Sequence, residues 1–164
     1  MTIRFETHSA AETRALGSRF ADLLTPGVVV VMIGGLGAGK TALSQGIAEG
    51  LGISSRVTSP TFTMVATYDV DGRRGIAALL HADLYRVTSG SEADDLSIGE
   101  LVEERAVALV EGGDVAPDVL GGRQVIVSIS LGDSDDDRFI TIDDRHRVID
   151  KGVLEEALDR WKAQ

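Results

Sequence analysis

Residues 34 to 41 read Gly-Gly-Leu-Gly-Ala-Gly-Lys-Thr and match the phosphate-loop pattern G-x-x-x-x-G-K-[ST] at every required position. Small residues allow successive backbone N–H groups to turn inward and form a concave cradle for phosphate oxygens. A helix beginning at Lys40 would direct its positive N-terminal end at the same cradle. The pattern predicts that Lys40 reaches the β- and γ-phosphates of a nucleoside triphosphate and that the Thr41 hydroxyl ligates Mg²⁺.

The segments on either side of this loop supply the context that phosphate binding needs. Residues 28–33 form a continuous apolar and largely β-branched run, which is typical of a strand buried on both faces. After the loop, apolar residues recur at helical spacing, and Gly50 and Gly52 predict the end of that helix. The order of strand, glycine-rich loop and helix therefore indicates a nucleoside triphosphate site. The residues of this segment predicted to bind the nucleotide are Gly35, Leu36, Gly37, Ala38, Gly39, Lys40, Thr41 and Ala42.

Length and composition limit the kind of protein that carries this loop. The 164 residues suffice for one α/β domain with a substantial core, so a single domain over residues 1–164 is predicted. The hydrophobic content of 43% includes no long apolar stretch, so no membrane span is expected. The chain has no cysteine, which excludes disulfides and thiolate metal sites and favours a cytoplasmic location.

The formal net charge of −10 bears on the partners of the protein. A chain this acidic is a poor candidate to hold a phosphate backbone by itself. If nucleic acid enters the function, we expect a partner protein to hold it. Solubility alone explains the acidity equally well.

A strand and a helix are predicted ahead of the phosphate-loop strand. Residues 2–7 alternate apolar and polar side chains, which predicts a short strand. Ser9 and Glu12 then have the spacing of a capping box, and the helix that follows must end before Pro26. Two roles remain open for this helix: packing against the core, or lining the pocket for the base.

The segment after the phosphate-loop helix is polar, rich in hydroxyl groups and interrupted by Pro60, which predicts a loop over residues 54–61. In nucleotide hydrolases this segment commonly forms a switch that responds to the γ-phosphate and the metal. Ser59 and Thr61 are the candidate switch residues. A plain connecting turn has the same spacing.

Two acidic residues follow apolar runs that predict buried strands. Residues 62–68 and 76–81 are predicted to pair as an antiparallel hairpin, and the apolar run of the second strand ends in Asp83. Glu111 ends a second apolar run, at residues 106–111. Nucleotide enzymes of the α/β class place metal and water ligands at the carboxyl ends of buried strands. Spacing alone does not decide which of the two acids holds Mg²⁺.

The remainder of the chain predicts three further helices and a hairpin. An acidic short helix is predicted at residues 91–96, and a second one at 98–103. Residues 124–131 alternate with Leu131 on the apolar face, which predicts a half-buried antiparallel strand paired with residues 138–142. A last helix is predicted over residues 151–164, with the single tryptophan on its apolar face. None of the three histidines falls at a metal-ligand spacing.

Four further motifs accompany the phosphate loop. They are Val-Thr-Ser-Pro-Thr-Phe at 57–62, His-Ala-Asp-Leu-Tyr-Arg at 81–86, Asp-Leu at 95–96 and Val-Glu at 110–111. In order and spacing they resemble the bacterial TsaE family, the ATPases of tRNA threonylcarbamoyladenosine biosynthesis. The resemblance covers residues 1 to about 143, and a C-terminal helical extension at 147–164 lies outside it.

The resemblance implies the catalytic and metal-binding roles. Lys40 would bind the β- and γ-phosphates of ATP, and Thr41 and Glu111 would ligate Mg²⁺. Asp83 would be a second functional carboxylate near the γ-phosphate or its water. The catalytic set implied by the family is thus Lys40, Asp83 and Glu111.

The resemblance also implies positions around the nucleotide. Thr61 would belong to the switch, and the adenine would lie near Ser9 and Ala10 at the start of the first helix. Arg138 matches a basic position that would touch the nucleotide. The family works with the TsaD and TsaB proteins, which transfer threonylcarbamoyl to adenosine 37 of tRNA. ATP hydrolysis would reset that transferase, and the partners would carry the RNA.

Two positions depart from the family pattern. The family usually has an acid where this chain has Gly35, so a side-chain contact would be lost while the backbone cradle is kept. The family usually has tryptophan where this chain has Gly112, so a flat aromatic wall near the metal would be missing. We therefore expect weak intrinsic hydrolysis.

Two other functions stay open at the level of the sequence. A small P-loop kinase typically needs an arginine-rich lid. The arginines of this chain are dispersed, and only Arg73 and Arg74 are adjacent. A regulatory module that senses ATP without useful hydrolysis is compatible with Gly35 and Gly112. A GTPase is disfavoured because the chain has no asparagine for the guanine-reading motif. The predicted fold is a three-layer α/β sandwich of the P-loop class, parallel in its centre with antiparallel additions.

Overall fold

The computed structural model of the chain describes residues 1–58, 65–85, 98–103, 105–112, 120–121 and 123–164, and for Arg73 and Leu101 it describes the backbone alone. The switch candidates Ser59 and Thr61 and the predicted helix at residues 91–96 lie outside the described residues.

The described chain is built around one mixed sheet of seven strands, in the spatial order β1-β7-β6-β2-β5-β4-β3. Four neighbouring strands in its centre, β6, β2, β5 and β4, run parallel. The pairs β1/β7, β6/β7 and β3/β4 are antiparallel and extend the sheet at both sides. The strands are β1 Thr2–Thr7, β2 Val28–Ile33, β3 Val65–Asp69, β4 Ala78–Asp83, β5 Ala106–Glu111, β6 Arg123–Leu131 and β7 Arg138–Asp143.

Helices cover both faces of the sheet. Because successive side chains of a strand point to opposite faces of the sheet, β2 contributes residues to the hydrophobic core on each face. Val28 and Val30 belong to the core shared with α1 (Ala10–Ala21) and α2 (Lys40–Gly50). Val29 belongs to a second core on the opposite face, which includes residues of α3 (Ile98–Glu103). A strand buried on both faces explains the unbroken apolar run at 28–33, and the three-layer α/β prediction is confirmed.

The two helices next to the phosphate loop approach each other closely through glycines. A Cβ atom at Gly17 of α1 would lie 2.6 Å from the Leu43 carbonyl oxygen. In α2, a Cβ at Gly46 would overlap the Arg14 carbonyl oxygen, and one at Gly50 would lie 2.5 Å from the Ser18 carbonyl oxygen. Gly50 is therefore a packing residue at the last position of α2 as well as the end signal. This contact fixes the start of α1 relative to the phosphate loop.

The strand β6 differs in two respects from the sequence prediction. It pairs antiparallel with β7 as predicted, but its other neighbour is β2, to which it runs parallel. Val125, Val127 and Ile129 are buried, whereas Leu131 is largely exposed. The placement of Leu131 in the core is therefore wrong, because the strand extends beyond the layer that covers it.

The predicted helix at 151–164 is also shorter than expected. The helix α4 spans Lys151–Ala157, and a separate 3-10 turn follows at Asp159–Trp161. The chain then returns to the edge of β1, where the Ala163 N–H donates to the Arg4 carbonyl at 3.1 Å. The Trp161 side chain is only 7% exposed and packs into the core between the sheet and α1. In the part of the chain that the structure describes, no helix has the length and apolar character that crossing a membrane requires.

Candidate functional site

A cavity of about 720 Å³ opens at the carboxyl ends of the central parallel strands. This edge of a parallel sheet is where α/β proteins bind ligands. Residues that are far apart in sequence meet there, from the first helix to the last strand. The lining residues are Ala10, Gly34, Gly35, Leu36, Gly37, Ala38, Gly39, Lys40, Thr41, Ala42, Asp83, Tyr85, Glu111 and Arg138. All the described residues that the sequence predicts for the site are among them except Ser9.

The phosphate loop has the backbone conformation that its glycines predict. Gly37 and Gly39 have φ angles of 74° and 111°, in the left-handed region that favours glycine. The helix α2 begins at Lys40 directly after Gly39, and no side chain of the described residues caps its N-terminus. The first N–H groups of α2 therefore point into the cavity without a side-chain acceptor. Such a helix end binds anions.

The Lys40 side chain folds back over the loop. Its ammonium group donates to the Gly34 carbonyl at 2.5 Å and to the Gly35 carbonyl at 3.0 Å. The same nitrogen lies 5.6 Å from the centre of the Tyr85 ring. A cation is thus held at the mouth of the cradle, where the phosphates of a nucleotide would lie.

Asp83 and Glu111 end adjacent parallel strands and are partners in the strand register. Glu111 is almost completely buried, and one of its carboxylate oxygens lies 3.3 Å from Nε2 of the buried His81. Asp83 accepts the Tyr85 N–H at 3.0 Å. The strand β4 ends at Asp83, as predicted, and its pairing with β5 places Asp83 beside Glu111.

His81 is a neighbour of the site that the sequence analysis missed. Its Nε2 faces Glu111, and its Nδ1 is buried and has no hydrogen-bond partner in the described part of the chain. The alternation along β4 places His81 and Asp83 on the same side of the strand, two residues apart. That spacing was the available signal, but it becomes informative only once β5 is known to lie beside β4.

The donor set fits magnesium. This ion prefers hard oxygen ligands and usually takes one or two carboxylates beside the phosphates of its substrate. The cavity offers the Thr41 hydroxyl and the carboxylates of Asp83 and Glu111. The chain has no cysteine, so no thiolate competes for a softer metal.

Arg138 holds the phosphate loop from outside. Its guanidinium group donates to the Ala38 carbonyl at 2.8 Å and to the Gly37 carbonyl at 3.3 Å. It also donates to the carbonyl groups of Asp135 and Asp137, at 2.6 and 2.8 Å. Arg138 also lines the cavity, and its contact with the nucleotide stays a prediction. Its evident role is to tie the loop to the β6–β7 turn.

The start of α1 also reaches the cavity. Ala10 lines the cavity, as the predicted position near the adenine requires. Ser9 is the N-cap of α1, and its hydroxyl accepts the Glu12 N–H at 3.1 Å. The Glu12 carboxylate accepts the N–H of His8, at 2.8 Å, rather than that of Ser9, so the reciprocal bond of the predicted capping box is shifted by one residue. The Ser9 hydroxyl is thus engaged in capping the start of α1, and Ala10 is the residue that lines the cavity.

The space beside Gly112 is occupied by Tyr85. Gly112 has a φ angle of 71°, and a Cβ atom there would lie 2.8 Å from the Tyr85 nitrogen and 3.2 Å from its Cγ. A tryptophan at this position would require a strained backbone and a displaced Tyr85. Tyr85, from the motif at residues 81–86, therefore occupies the space beside Gly112, and residue 112 itself supplies no aromatic ring. Weak intrinsic hydrolysis stays a prediction.

Comparison with known proteins adds independent information. The model of the family described as "Threonylcarbamoyl adenosine biosynthesis protein TsaE" matches residues 7–140. The tRNA threonylcarbamoyladenosine biosynthesis protein TsaE of Bacillus subtilis is 36% identical over 139 residues, covering 85% of this chain and 84% of the relative. The protein of the same description from Treponema pallidum is 36% identical over 140 residues, covering 85% of this chain and 99% of its own.

A solved structure extends the similarity to the fold. The crystal structure of Bacillus subtilis YdiB superposes with a TM-score of 0.73 at 30% sequence identity. The superposition covers 98% of this chain and 95% of that chain. The C-terminal segment beyond the family match is therefore included in the shared fold.

Proposed function

This chain belongs to the TsaE family of tRNA threonylcarbamoyladenosine biosynthesis proteins, and we propose that it serves that biosynthesis as a P-loop ATPase. In this proposal it binds Mg²⁺ and ATP and hydrolyses ATP to support turnover of a TsaD–TsaB transferase. The observation that carries the proposal is the convergence of the phosphate loop, Asp83 and Glu111 on one cavity.

The phosphate loop would bind the triphosphate. The left-handed Gly37 and Gly39 and the uncapped start of α2 direct backbone N–H groups toward the phosphates. Lys40 already lies over the loop, and its ammonium group can exchange the carbonyl groups of Gly34 and Gly35 for phosphate oxygens. This arrangement offers charge stabilisation, which is the main contribution of proteins to phosphoryl transfer.

Thr41 and Glu111 would hold Mg²⁺, which supplies neutralisation of the phosphate charge when bound. Glu111 is buried and directed by His81, so it offers a fixed ligand. Asp83 accepts the Tyr85 N–H with one carboxylate oxygen, and in this proposal its carboxylate orients the attacking water. Both acids line the cavity, and they would have different roles because Glu111 is buried against a histidine whereas Asp83 is held by a backbone N–H.

The preference for adenine and the need for partner proteins are supported by the composition of the chain and by Ala10. The absence of asparagine argues for adenine over guanine, and Ala10 offers a small apolar contact at the rim. The net charge of −10 disfavours direct contact with tRNA, so the RNA would reach the system through TsaD and TsaB. A cytoplasmic location is part of this proposal.

The deciding experiment measures phosphate release from ATP and Mg²⁺ with and without a TsaD–TsaB complex. We expect stimulation by the complex, abolished in Lys40→Ala and retained in Lys151→Ala, which removes an exposed lysine at the start of α4. Tight ATP binding without stimulation would favour an ATP-sensing module. Transfer of phosphate to an added metabolite instead of water would favour a small kinase.

A further inference from the structure

Gly112 and Tyr85 form a complementary pair at the exit of β4 and β5. Gly112 lacks a side chain, and its backbone lies so close to Tyr85 that a Cβ atom would be 2.8 Å from the Tyr85 nitrogen and 3.1 Å from the Leu84 carbonyl carbon. Leu84 donates its N–H to the Glu111 carbonyl at 2.8 Å, which continues the β4–β5 pairing past the strand ends. The glycine therefore permits the chain after β4 to cross directly over the end of β5.

This crossing places the Tyr85 ring at the mouth of the nucleotide cavity. The side chain of Tyr85 is about half exposed, so the hydrophobic core does not explain its position. Its hydroxyl donates to the Gly34 carbonyl at 3.3 Å, and the Lys40 ammonium lies 5.6 Å from the ring centre. Its backbone N–H donates to Asp83. One residue thus contacts the phosphate loop, the loop lysine and a site carboxylate.

The Gly34 carbonyl is shared between two donors. Lys40 donates to it at 2.5 Å and the Tyr85 hydroxyl at 3.3 Å. A carbonyl oxygen has two lone pairs and can accept both. When Lys40 turns toward a phosphate, it gives up this acceptor, and the half-buried Gly34 carbonyl loses its shorter hydrogen bond at some cost. The Tyr85 hydroxyl can remain on Gly34 and lower that cost.

We propose that Tyr85 is a positioning residue of the nucleotide site. Its hydroxyl holds the Gly34 carbonyl, and its ring lies beside the Lys40 ammonium as Lys40 moves toward the phosphates. The face of an aromatic ring has a negative electrostatic potential, which attracts a nearby ammonium group. The proposal rests on the proposed function, because it assigns Lys40 a phosphate to bind. It concerns the free energy of nucleotide binding and requires no contact between Tyr85 and the substrate.

The test measures binding of ATP and Mg²⁺ by isothermal titration calorimetry. Tyr85→Phe removes the hydroxyl and keeps the ring, and we expect about fivefold weaker binding, the usual value of one hydrogen bond. Tyr85→Leu removes the ring as well, and we expect a further loss of about threefold. The matched control is Tyr68→Phe, because Tyr68 is the only other tyrosine and packs against the core away from the cavity.

A second measurement separates positioning from a structural role. With fluorotyrosine incorporated, the chain gives two ¹⁹F resonances, and Tyr68→Phe assigns the one from Tyr85. We expect ATP and Mg²⁺ to shift the Tyr85 resonance, and Lys40→Met to shift it in the absence of nucleotide. The free energy of unfolding of Tyr85→Phe should equal that of the wild type.

The outcomes distinguish the two proposals. If the wild type binds ATP but both Tyr85 variants bind it equally well and the Tyr85 resonance does not respond, the inference is overturned while the proposed function stands. If the wild type shows neither a heat of ATP binding nor a shift of the Tyr85 resonance, the proposed function is overturned, and this inference with it. Weaker binding that accompanies a loss of unfolding free energy would also overturn the positioning role.

Discussion

Asp83 and Glu111 are register partners at the ends of two adjacent parallel strands, so two carboxylates of the chain lie side by side at the edge of the phosphate-loop cavity. Their environments differ. Glu111 is buried beside His81, whereas Asp83 lies at the rim and accepts a backbone N–H from Tyr85. Groups of the same type in different environments commonly divide the work of a catalytic site.

Substitution of Glu111 should change the magnesium requirement. We expect Glu111→Gln to raise the Mg²⁺ concentration needed for half-maximal ATP hydrolysis by about tenfold or more, since loss of even a hydrogen-bond partner of a metal ligand often lowers affinity that much. A Mg²⁺ titration of phosphate release measures this. Glu156→Gln, at an exposed position of α4, should leave the titration unchanged. An unaltered Mg²⁺ dependence in Glu111→Gln would contradict the assignment.

Substitution of Asp83 should separate hydrolysis from binding. We expect Asp83→Asn to retain ATP binding and to lower the hydrolysis rate by about a hundredfold, because a positioned base commonly contributes that factor. Single-turnover phosphate release and calorimetric binding on the same variant give the two quantities. Asp69→Asn, at an exposed position at the opposite end of the β3–β4 hairpin, is the control. Equal losses in binding and hydrolysis would argue for a purely structural role.

Arg138 should stabilise the phosphate loop. The change Arg138→Ala removes hydrogen bonds to the Ala38 and Gly37 carbonyl groups, and we expect a loss of about 1–2 kcal/mol of unfolding free energy. Weaker ATP binding should accompany it, because the loop loses preorganisation. Denaturant unfolding and calorimetry measure both. The control Arg145→Ala removes an exposed arginine paired with Asp143 and should leave ATP binding unaltered.

The contact between α1 and α2 should not tolerate a methyl group. In Gly46→Ala the new Cβ would overlap the Arg14 carbonyl oxygen, and we expect a loss of about 2 kcal/mol of unfolding free energy. The matched control is Gly152→Ala in α4, where a Cβ would meet only the Asp150 side chain, at 3.3 Å. That change should be neutral or slightly stabilising because alanine favours helices. Chemical denaturation of the two variants compares them directly.

The pair of His8 and Asp137 should make stability depend on pH. The hydrogen bond that the His8 ring donates to the Asp137 carboxylate raises the pKa of His8 above 6.5, and the same bond lowers the pKa of Asp137 below 3.8. The contribution of His8 is fully present below its unfolded pKa of 6.5 and is lost as the pH rises through the raised value. That of Asp137 is present above its unfolded pKa of 3.8 and is lost as the pH falls through the lowered value.

The stabilisation by this pair is therefore expected between about pH 4 and pH 6.5. An NMR titration of the His8 imidazole tests the cause, because Asp137→Asn should lower its pKa. Asp133→Asn, at an exposed position of the same turn, should leave the titration of His8 as in the wild type. A titration of His8 that does not respond to Asp137→Asn would contradict the interaction.

The sequence predicted the local parts of the site well. The start of α2 at Lys40, the strand β2 and the N-cap Ser9 all lie where the pattern placed them. Each of these depends on the conformations of a few consecutive residues, such as the left-handed glycines of the loop. Helix capping and the alternation of a strand are likewise local, so they can be read without knowledge of the neighbours.

The errors lie where a local pattern continues past its tertiary partner. Leu131 keeps the alternation of β6 but extends beyond the covering layer, and it is exposed. The apolar spacing of residues 151–164 continues through Trp161, although α4 ends at Ala157 and the chain turns back to the edge of β1. Periodicity shows which side chains share a face, but it does not show where the neighbouring element ends.

The sequence by itself determined that this chain has a phosphate loop and two acids at strand ends, because each of these features depends on a short continuous segment of the chain. Only the tertiary structure decided that Asp83 lies beside Glu111, that Arg138 reaches the loop carbonyl of Ala38, and that Tyr85 takes the space left by Gly112. These contacts join segments separated by up to 100 residues. They depend on the order of strands in the sheet, which no local pattern encodes.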